Sequence, residues 1–540
     1  MEQSWLSWFL KGVLLVGLVI LLGRLFELTI LKGDYFKILA QENRIRRIPI
    51  VAARGEILAR GGESLAFNKK NAKWVVFNPD KGFEKKEVTP QTPADEIIEE
   101  WTRRYPLKEA IAHITGYLGE ANEDEVGKVD PDCRAKGVKS LGSLAGRGGL
   151  EEEYECVLRG IDGEEMVEVD AFGKKIRTIG RKNPLAGENI KTNIDYLLQM
   201  KLAEAMDKPG AAIVSDARGE ILAFYSSPSF DPNIFINQDR KEIAALLTDK
   251  NLPLFNRVLG GTYHPGSVFK VVTATAALEE GKISPDYTYE DPGVIKINEF
   301  SYANWYFSQY GATEGVIDLK RAITRSTDTF FYEIGELVGV DKLAAWAQKF
   351  GLNEKTGIDL PGEVEGLVPT PAWKKRVKGE AWFLGNTYHM AIGQGDLALT
   401  PLSVNSAVGV IASGGSLCTP HLVNGEKDDW CKKLDIGKET IAEIKEGMVG
   451  VCSQGGTAFP FFDFEEKSGG VKVACKTGTA ETEEEDKTHA WFTAFAPADD
   501  PQIIATVLVE KGGEGSSVAA PIVRELFNYY FGLPDEPRSN

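Results

Sequence analysis

Three short segments constrain the fold of this chain more than anything else in it. They are Ser267-Val-Phe-Lys270 within HPGSVFK, Ser326-Thr-Asp328 within RSTDTFF and Lys476-Thr-Gly478 within ACKTGTAE. Each is weak alone, because a Ser-x-x-Lys pair arises by chance roughly once or twice in a chain of this length. Together, and in this order, they call for a fold that carries a helix start, a polar stretch of a second helix and a β-strand to one place.

The chemistry of each follows from its residues. His-Pro-Gly precedes Ser267 and a helical pattern follows it, so the serine falls at or near a helix N-terminus, where free N–H groups favour developing negative charge. Lys270 lies one turn on, on the same face. A serine hydroxyl needs a base to take its proton, and a desolvated lysine can serve. The plainer alternative is a helix cap beside a solvated lysine. Ser326 and Asp328 sit in an otherwise apolar helical pattern, AITRSTDTFFYEIG, as a possible proton relay or as a helix-start cap.

Lys476-Thr477-Gly478 reads as an alternating strand, with Lys476 and Gly478 on one face and Cys475 and Thr477 on the other. Gly478 would let a substrate backbone approach closely. The hydroxyls of Thr477 and Thr479, with strand-edge N–H groups, could hold a peptide carboxylate. For Lys476 and Thr477 both to contribute, the strand needs local twist or a bulge. The acidic segment Glu481–Lys487 reads as a solvated hairpin tip, with attraction of an amine-bearing acceptor as the alternative.

At 540 residues the chain is too long for one ordinary core, so two or three domains are expected. Its formal charge of −17 argues against a nucleic-acid partner, which would need a basic face. The six cysteines are scattered without a C-x-x-C pair and the five histidines do not cluster, so a zinc site has little support. Buried free thiols are the plainer expectation; disulfides become possible if the domain lies outside the cytoplasm.

Trp5–Gly23 is apolar except for Ser7 and Lys11, and at 1.5 Å per residue it spans about 28 Å, close to a hydrocarbon core of roughly 30 Å. No small-x-small cleavage pattern follows, so a retained anchor is expected over a cleaved signal peptide. Arg24, Lys32, Lys37, Arg44, Arg46 and Arg47 follow the span and by charge alone would put that side in the cytoplasm, a bias that a large translocated domain overrides.

Residues 31–188 carry no catalytic constellation. From Gly187 the pattern changes to a strand and a helix, then two strands around an Ala-Arg-Gly turn, then helices, then three β-rich runs ending in QIIATVLVEK. The expected fold is α+β: an anchor over residues 1–30, an elongated non-catalytic pedestal over 31–188, and a catalytic domain over 189–540 with a central antiparallel sheet flanked by helices.

The three motifs are those of serine acyl-transferring enzymes that react with penicillin, and nearly the whole chain resembles a class B penicillin-binding protein. NRIRRIPIVAARGEILARGG resembles the family's N-terminal signature, with Ala59 where an acid is expected before Arg60. GRGGLEEEYECVLRGIDG resembles the later pedestal signature. ARGEILAFYSSPSFDPN, LPGEVEGLVP, GNTYHMAIGQGDLALTP and HAWFTAFAPADDP match segments of the transpeptidase domain.

The resemblance implies a D,D-transpeptidase that cross-links peptidoglycan stem peptides through an acyl-enzyme on Ser267, releasing D-alanine and using no cofactor. It implies Lys270 as base, Ser326, Asp328 and Lys476 as relay and electrostatic partners, Thr477, Gly478 and Thr479 as substrate-binding residues, and the N–H groups of Ser267 and Thr479 as oxyanion hole. Implied partners are stem peptides on lipid II-derived glycan strands, β-lactams as covalent inhibitors, and a membrane-embedded glycosyltransferase of an elongation or division complex. The implied location is the bacterial cytoplasmic membrane, single-pass, with the catalytic domain outside. Asp328, where many relatives carry asparagine, is similar to the elongation-specific subgroup. No E-D-x-x-F-x-x-H-x-G-like stretch suggests a glycosyltransferase within the chain. The rival readings are a β-lactam sensor or β-lactamase, and a non-enzymatic cell-wall scaffold.

Overall fold

The computed structural model describes residues 3–78, 82–93, 97–128, 131, 133–139, 142–170, 175–425, 430–484 and 486–534. The chain divides into two compact units: Met1–Gly55, Asn68–Thr102 and Arg159–Glu188 form one, and Glu56–Phe67, Arg103–Leu158 and Asn189–Asn540 the other.

In the first unit, helix α1 (Gln3–Phe26) continues through a short π-helical turn, Glu27–Leu31. The stretch Trp5–Leu31 is exposed and has a mean hydropathy of 2.3 in its most apolar window, so it is long and apolar enough to cross a membrane. Helix α2 (Gly33–Arg44) leads into β1 (Ile45–Ile50), which pairs antiparallel with β2 (Gly163–Val169). That strand pairs in turn with β3 (Lys175–Lys182). Arg44 and Arg177 both pair with Glu168 on the central strand, and Lys175 pairs with Glu165 at 2.8 Å.

The second unit is built on a five-stranded antiparallel sheet of β4 (Gly210–Ser215), β5 (Ile221–Ser227), β6 (Ala474–Glu481), β7 (Thr488–Ala496) and β8 (Ile503–Val509), in the order β5-β4-β8-β7-β6. The first and last segments of this sheet in sequence, β4 and β8, thus pair within its interior, and β6 lies at an edge. The runs GAAIVS, ILAFYSS and IIATVLV are continuous rather than alternating, as strands covered on both faces require, and all their residues are buried.

The cover comes from α3 (Tyr196–Ala205) and α10 (Ala519–Tyr530), which pack together, and from α8 (Pro401–Ala412) and α9 (Lys438–Cys452), with α4 (Lys270–Glu279) packed against α9. Between α4 and α8 lie α5 (Leu319–Arg325), α6 (Asp328–Val338) and α7 (Val340–Lys349). Side-chain caps start several of these: Asp195 accepts from Leu197 and Leu198 N–H, and Thr400 from Ser403 N–H with Pro401 in the first turn. The α+β expectation and its antiparallel sheet stand.

The cysteines correct an expectation. None is a free thiol: Cys133 pairs with Cys156, Cys418 with Cys431 and Cys452 with Cys475. Their scatter in sequence hid pairings that only the packed chain makes. Cys452 closes α9 and Cys475 sits in β6, so the third bridge ties a covering helix to the edge strand beside Lys476.

Candidate active site

Ser267 lies in a single 3-10 turn, Gly266–Phe269, that runs directly into α4. Gly266 has a φ of +56°, open to glycine at little cost, and a Cβ there would stand 2.9 Å from the Thr479 carbonyl oxygen. Its N–H donates to Gly393 O at 2.9 Å, and Trp491 Nε1 donates to His264 O at 2.9 Å. The turn is thereby pinned against β6 and β7, with Ser267 at the wall of a cleft of about 590 Å³.

Lys270 opens α4 and is fully buried. Its Nζ donates to Asp328 Oδ1 at 2.6 Å, Ser326 O at 2.8 Å and Ser326 Oγ at 3.2 Å. Lys476, equally buried, donates to Ser326 Oγ at 2.9 Å and Thr477 O at 3.0 Å. Burial pulls the Lys270 ammonium below its ordinary value, opposed by the Asp328 carboxylate. Lys476 is pulled down further, first by burial and then by the charge of Lys270 beside it, with Asp328 opposing.

Of the two readings open around Ser326, a polar stretch within one helix or the start of a helix, the structure takes the second. The helix is broken: α5 ends at Arg325, Ser326 takes the left-handed conformation at φ 55° and ψ 40°, and α6 begins at Asp328. The break presents both the hydroxyl and the carbonyl of Ser326 to Lys270, which an unbroken helix would not, since its carbonyl would be spent inside the helix.

Strand β6 needs no bulge to bring Lys476 and Thr477 to the same site, because its pairing with β7 runs unshifted from Ala474 to Glu481. Lys476 points to the covered face and its long stem reaches Ser326; Thr477 faces the cleft, bonded to Thr457 Oγ1 at 2.8 Å. Gly478 lines the cleft and has a second consequence for the fold. A Cβ there would meet Trp491 Cβ at 2.9 Å, Pro265 O at 3.1 Å and Val268 Cγ1 at 3.1 Å, so the glycine lets the serine turn seat on the strand.

Thr477 O accepts from Lys476, and Thr479 O accepts from Gln394 Nε2 at a long 3.4 Å. Both carbonyls therefore face the open edge, and the N–H of the same residue faces the same way in an antiparallel strand. The Thr479 N–H is thus directed beside the Ser267 turn. In the Glu481–Lys487 segment, Glu485 lies outside the described residues; Glu481 is exposed at the cleft wall, and Glu483, Glu484, Asp486 and Lys487 are exposed.

The structure brings Ser267, Lys270, Ser326, Asp328, Lys476, Thr477, Gly478 and Thr479 together. Sequence reasoning missed Trp305, Gln394 and Thr457, which share the cleft. Gln394 lay within a quoted segment, GNTYHMAIGQGDLALTP, without being singled out. Thr457 and Trp305 carried no local signal.

The chain belongs to the penicillin-binding protein transpeptidase family. The penicillin-binding protein transpeptidase domain matches residues 210–528, and the penicillin-binding protein dimerisation domain matches residues 78–192. Its activity is that of a peptidoglycan D,D-transpeptidase. It is 31% identical to peptidoglycan D,D-transpeptidase MrdA of Acinetobacter baumannii, over 97% of this chain and 87% of that protein. Among solved structures it is similar to the Helicobacter pylori penicillin-binding protein PBP2 in complex with MreC, at 28% identity, a TM-score of 0.75, and 90% and 98% coverage of this chain and that one. It is also similar to a chain of a peptidoglycan synthase complex that coordinates polymerisation and crosslinking, at 29% identity and a TM-score of 0.77, with 99% of each chain covered. The apolar α1 fits a single-pass membrane anchor.

Proposed function

We propose that this chain cross-links stem peptides by a serine acyl-enzyme route with Ser267 as nucleophile. The observation that carries the reading is the convergence of two buried lysines on Ser326 Oγ, at 3.2 and 2.9 Å, beside the Ser267 turn. Burial lowers the proton affinity of both lysines, which raises the share of neutral amine able to take a proton above that of an exposed lysine.

In the first step Ser267 Oγ attacks the carbonyl carbon of the penultimate D-alanine, and Lys270 takes the hydroxyl proton. The oxyanion sits between the N–H groups of Ser267 and Thr479. Collapse breaks the peptide bond, and the departing amine of terminal D-alanine receives a proton through Ser326, between Lys270 and Lys476. An amine of a second stem peptide then attacks the ester carbonyl; the new amide forms as the ester C–O bond breaks, and the proton the amine loses passes by way of Lys270 to the departing Ser267 oxygen. Thr477 and Thr479 hold the donor carboxylate. Asp328 keeps Lys270 oriented. β-Lactams acylate Ser267 by the same attack.

The catalytic domain works outside the cytoplasm, anchored by α1, beside a membrane-embedded glycosyltransferase of an elongation complex. Similarity to the MreC-bound PBP2 and to the peptidoglycan synthase chain supports that setting. The test is turnover of a synthetic stem pentapeptide ending in D-Ala-D-Ala with glycine as acceptor, using the detergent-solubilised full chain with and without its glycosyltransferase. One D-alanine released per new peptide–glycine amide bears the reading out. Release matched only by hydrolysed peptide makes the chain a carboxypeptidase or β-lactamase-like hydrolase instead.

A further inference from the structure

Asp291, outside every motif described above, is a buried carboxylate with four hydrogen-bond donors. Its Oδ1 accepts from Gly293 N–H at 2.9 Å and Thr329 Oγ1 at 2.6 Å; its Oδ2 accepts from Asn304 Nδ2 at 3.1 Å and Glu314 N–H at 2.9 Å. Among the described residues it forms no ion pair, so hydrogen bonds alone compensate its burial.

Two of those donors lead to the catalytic lysine. Thr329 stands next to Asp328 in the first turn of α6. Asn304, fully buried, turns its other amide atom outward, and its Oδ1 accepts the Asp328 N–H at 3.2 Å. The next residue, Trp305, donates its N–H to Asp328 Oδ2 at 3.1 Å, while its indole Nε1 donates to Arg325 O at 2.9 Å on the far side of the Ser326 break. One Asp328 oxygen is thus fixed by the backbone of Trp305, and the other meets Lys270.

The start of α6 is unusual for the same reason. Its N-cap residue, Thr327, makes no side-chain capping bond, and its buried hydroxyl has no hydrogen-bond partner among the described residues. The N–H of Asp328 is capped by Asn304 instead, from another segment of the chain. Capping it from Asn304 couples the aim of Asp328 to the Asp291 cluster.

We infer that Asp291 and Asn304 are positioning residues for acyl transfer, holding Asp328 so that its Oδ1 fixes the place of the Lys270 ammonium. This rests on the reading of Lys270 as base. The charged and titratable groups facing the Asp328–Lys270 pair are Lys476 on β6 and Tyr332 on α6, and Tyr289 faces Asp291. The Asp328 carboxylate raises the proton affinity of Lys270 against the effect of burial. Loosening Asp328 therefore lowers it, and base becomes available at lower pH but in poorer alignment.

The experiment measures the acylation rate of the full chain in detergent by benzylpenicillin from pH 5 to 10, with melting temperature recorded alongside. The variants are Asn304→Ala, Asp291→Asn, and the pair Thr329→Val and Thr329→Ser; Thr329→Val removes one donor without changing shape, so the pair decides even where Asp291→Asn fails to fold. The expected result is a maximal rate reduced about tenfold, equivalent to about 1.4 kcal/mol of barrier, in Asn304→Ala and Thr329→Val, with the rising limb displaced to lower pH. Thr329→Ser recovers most of the rate. Unchanged rates and limbs, with only melting temperature lowered, overturn the positioning role. Lys270→Arg separates the two levels: if it acylates like the unmodified chain, the base assignment falls and the inference with it, whereas an inactive Lys270→Arg with unaffected Asn304→Ala and Thr329→Val overturns the inference alone.

Discussion

Lys270 and Lys476 share one hydroxyl: their ammonium nitrogens lie 3.2 and 2.9 Å from Ser326 Oγ, each in a fully buried side chain. A single hydroxyl between two nitrogens can take a proton from one and hand it toward the other without either lysine moving. Ser326→Ala removes that bridge and leaves the backbone carbonyl contact to Lys270 in place. Acylation by benzylpenicillin is expected to fall by about 10²- to 10⁴-fold, with a melting temperature close to that of the unmodified chain. Stopped-flow or quenched mass spectrometry reads the rate.

The same burial makes Lys476 a thermodynamic cost. Its folded-state proton affinity lies well below the ordinary lysine value of 10.5, first because of desolvation and then because of Lys270. Between the folded-state value and 10.5 the unfolded chain binds more protons than the folded one, so this residue's contribution to stability rises with pH. Lys476→Met is therefore expected to be inactive yet more stable at pH 7, by about 1–3 kcal/mol, with the gain narrowing as pH approaches 10.5. Denaturant titrations at pH 7 and 9.5 check both the sign and the trend.

Gly478 makes a different prediction. Its missing side chain faces the serine turn, where a methyl would meet Trp491, Pro265 and Val268 at 2.9 to 3.1 Å. Gly478→Ala should lower stability by about 1–3 kcal/mol through overpacking and slow acylation by shifting Ser267 against β6. Thermal melts and the acylation rate test it; an unaltered rate would mean the turn is not seated on that glycine.

How much of this was legible beforehand depended on distance along the chain. Ser267 and Lys270 are one helical turn apart, and Lys476 to Thr479 lie on one strand, so spacing alone exposed them. A helix start near Ser326 was one of the open readings, but the left-handed turn that makes the break was hidden because neither glycine nor proline marks it; a serine occupies that position, held by contacts to Lys270 and Lys476 from elsewhere. Asp291 stayed invisible for a related reason. Its partners Asn304, Glu314 and Thr329 are spread over three segments with no common period, and only the packed chain gathers them. The disulfides show the same limit: Cys452 and Cys475 meet because α9 packs on β6.

The most direct test of the central claim is intact-mass spectrometry of the full chain after exposure to benzylpenicillin, beside Ser267→Ala. The account predicts one stable adduct on the unmodified chain, mapped by peptide digestion to the segment containing Ser267, and none on the variant. An adduct that persists in Ser267→Ala, or one that maps to another residue, would contradict it.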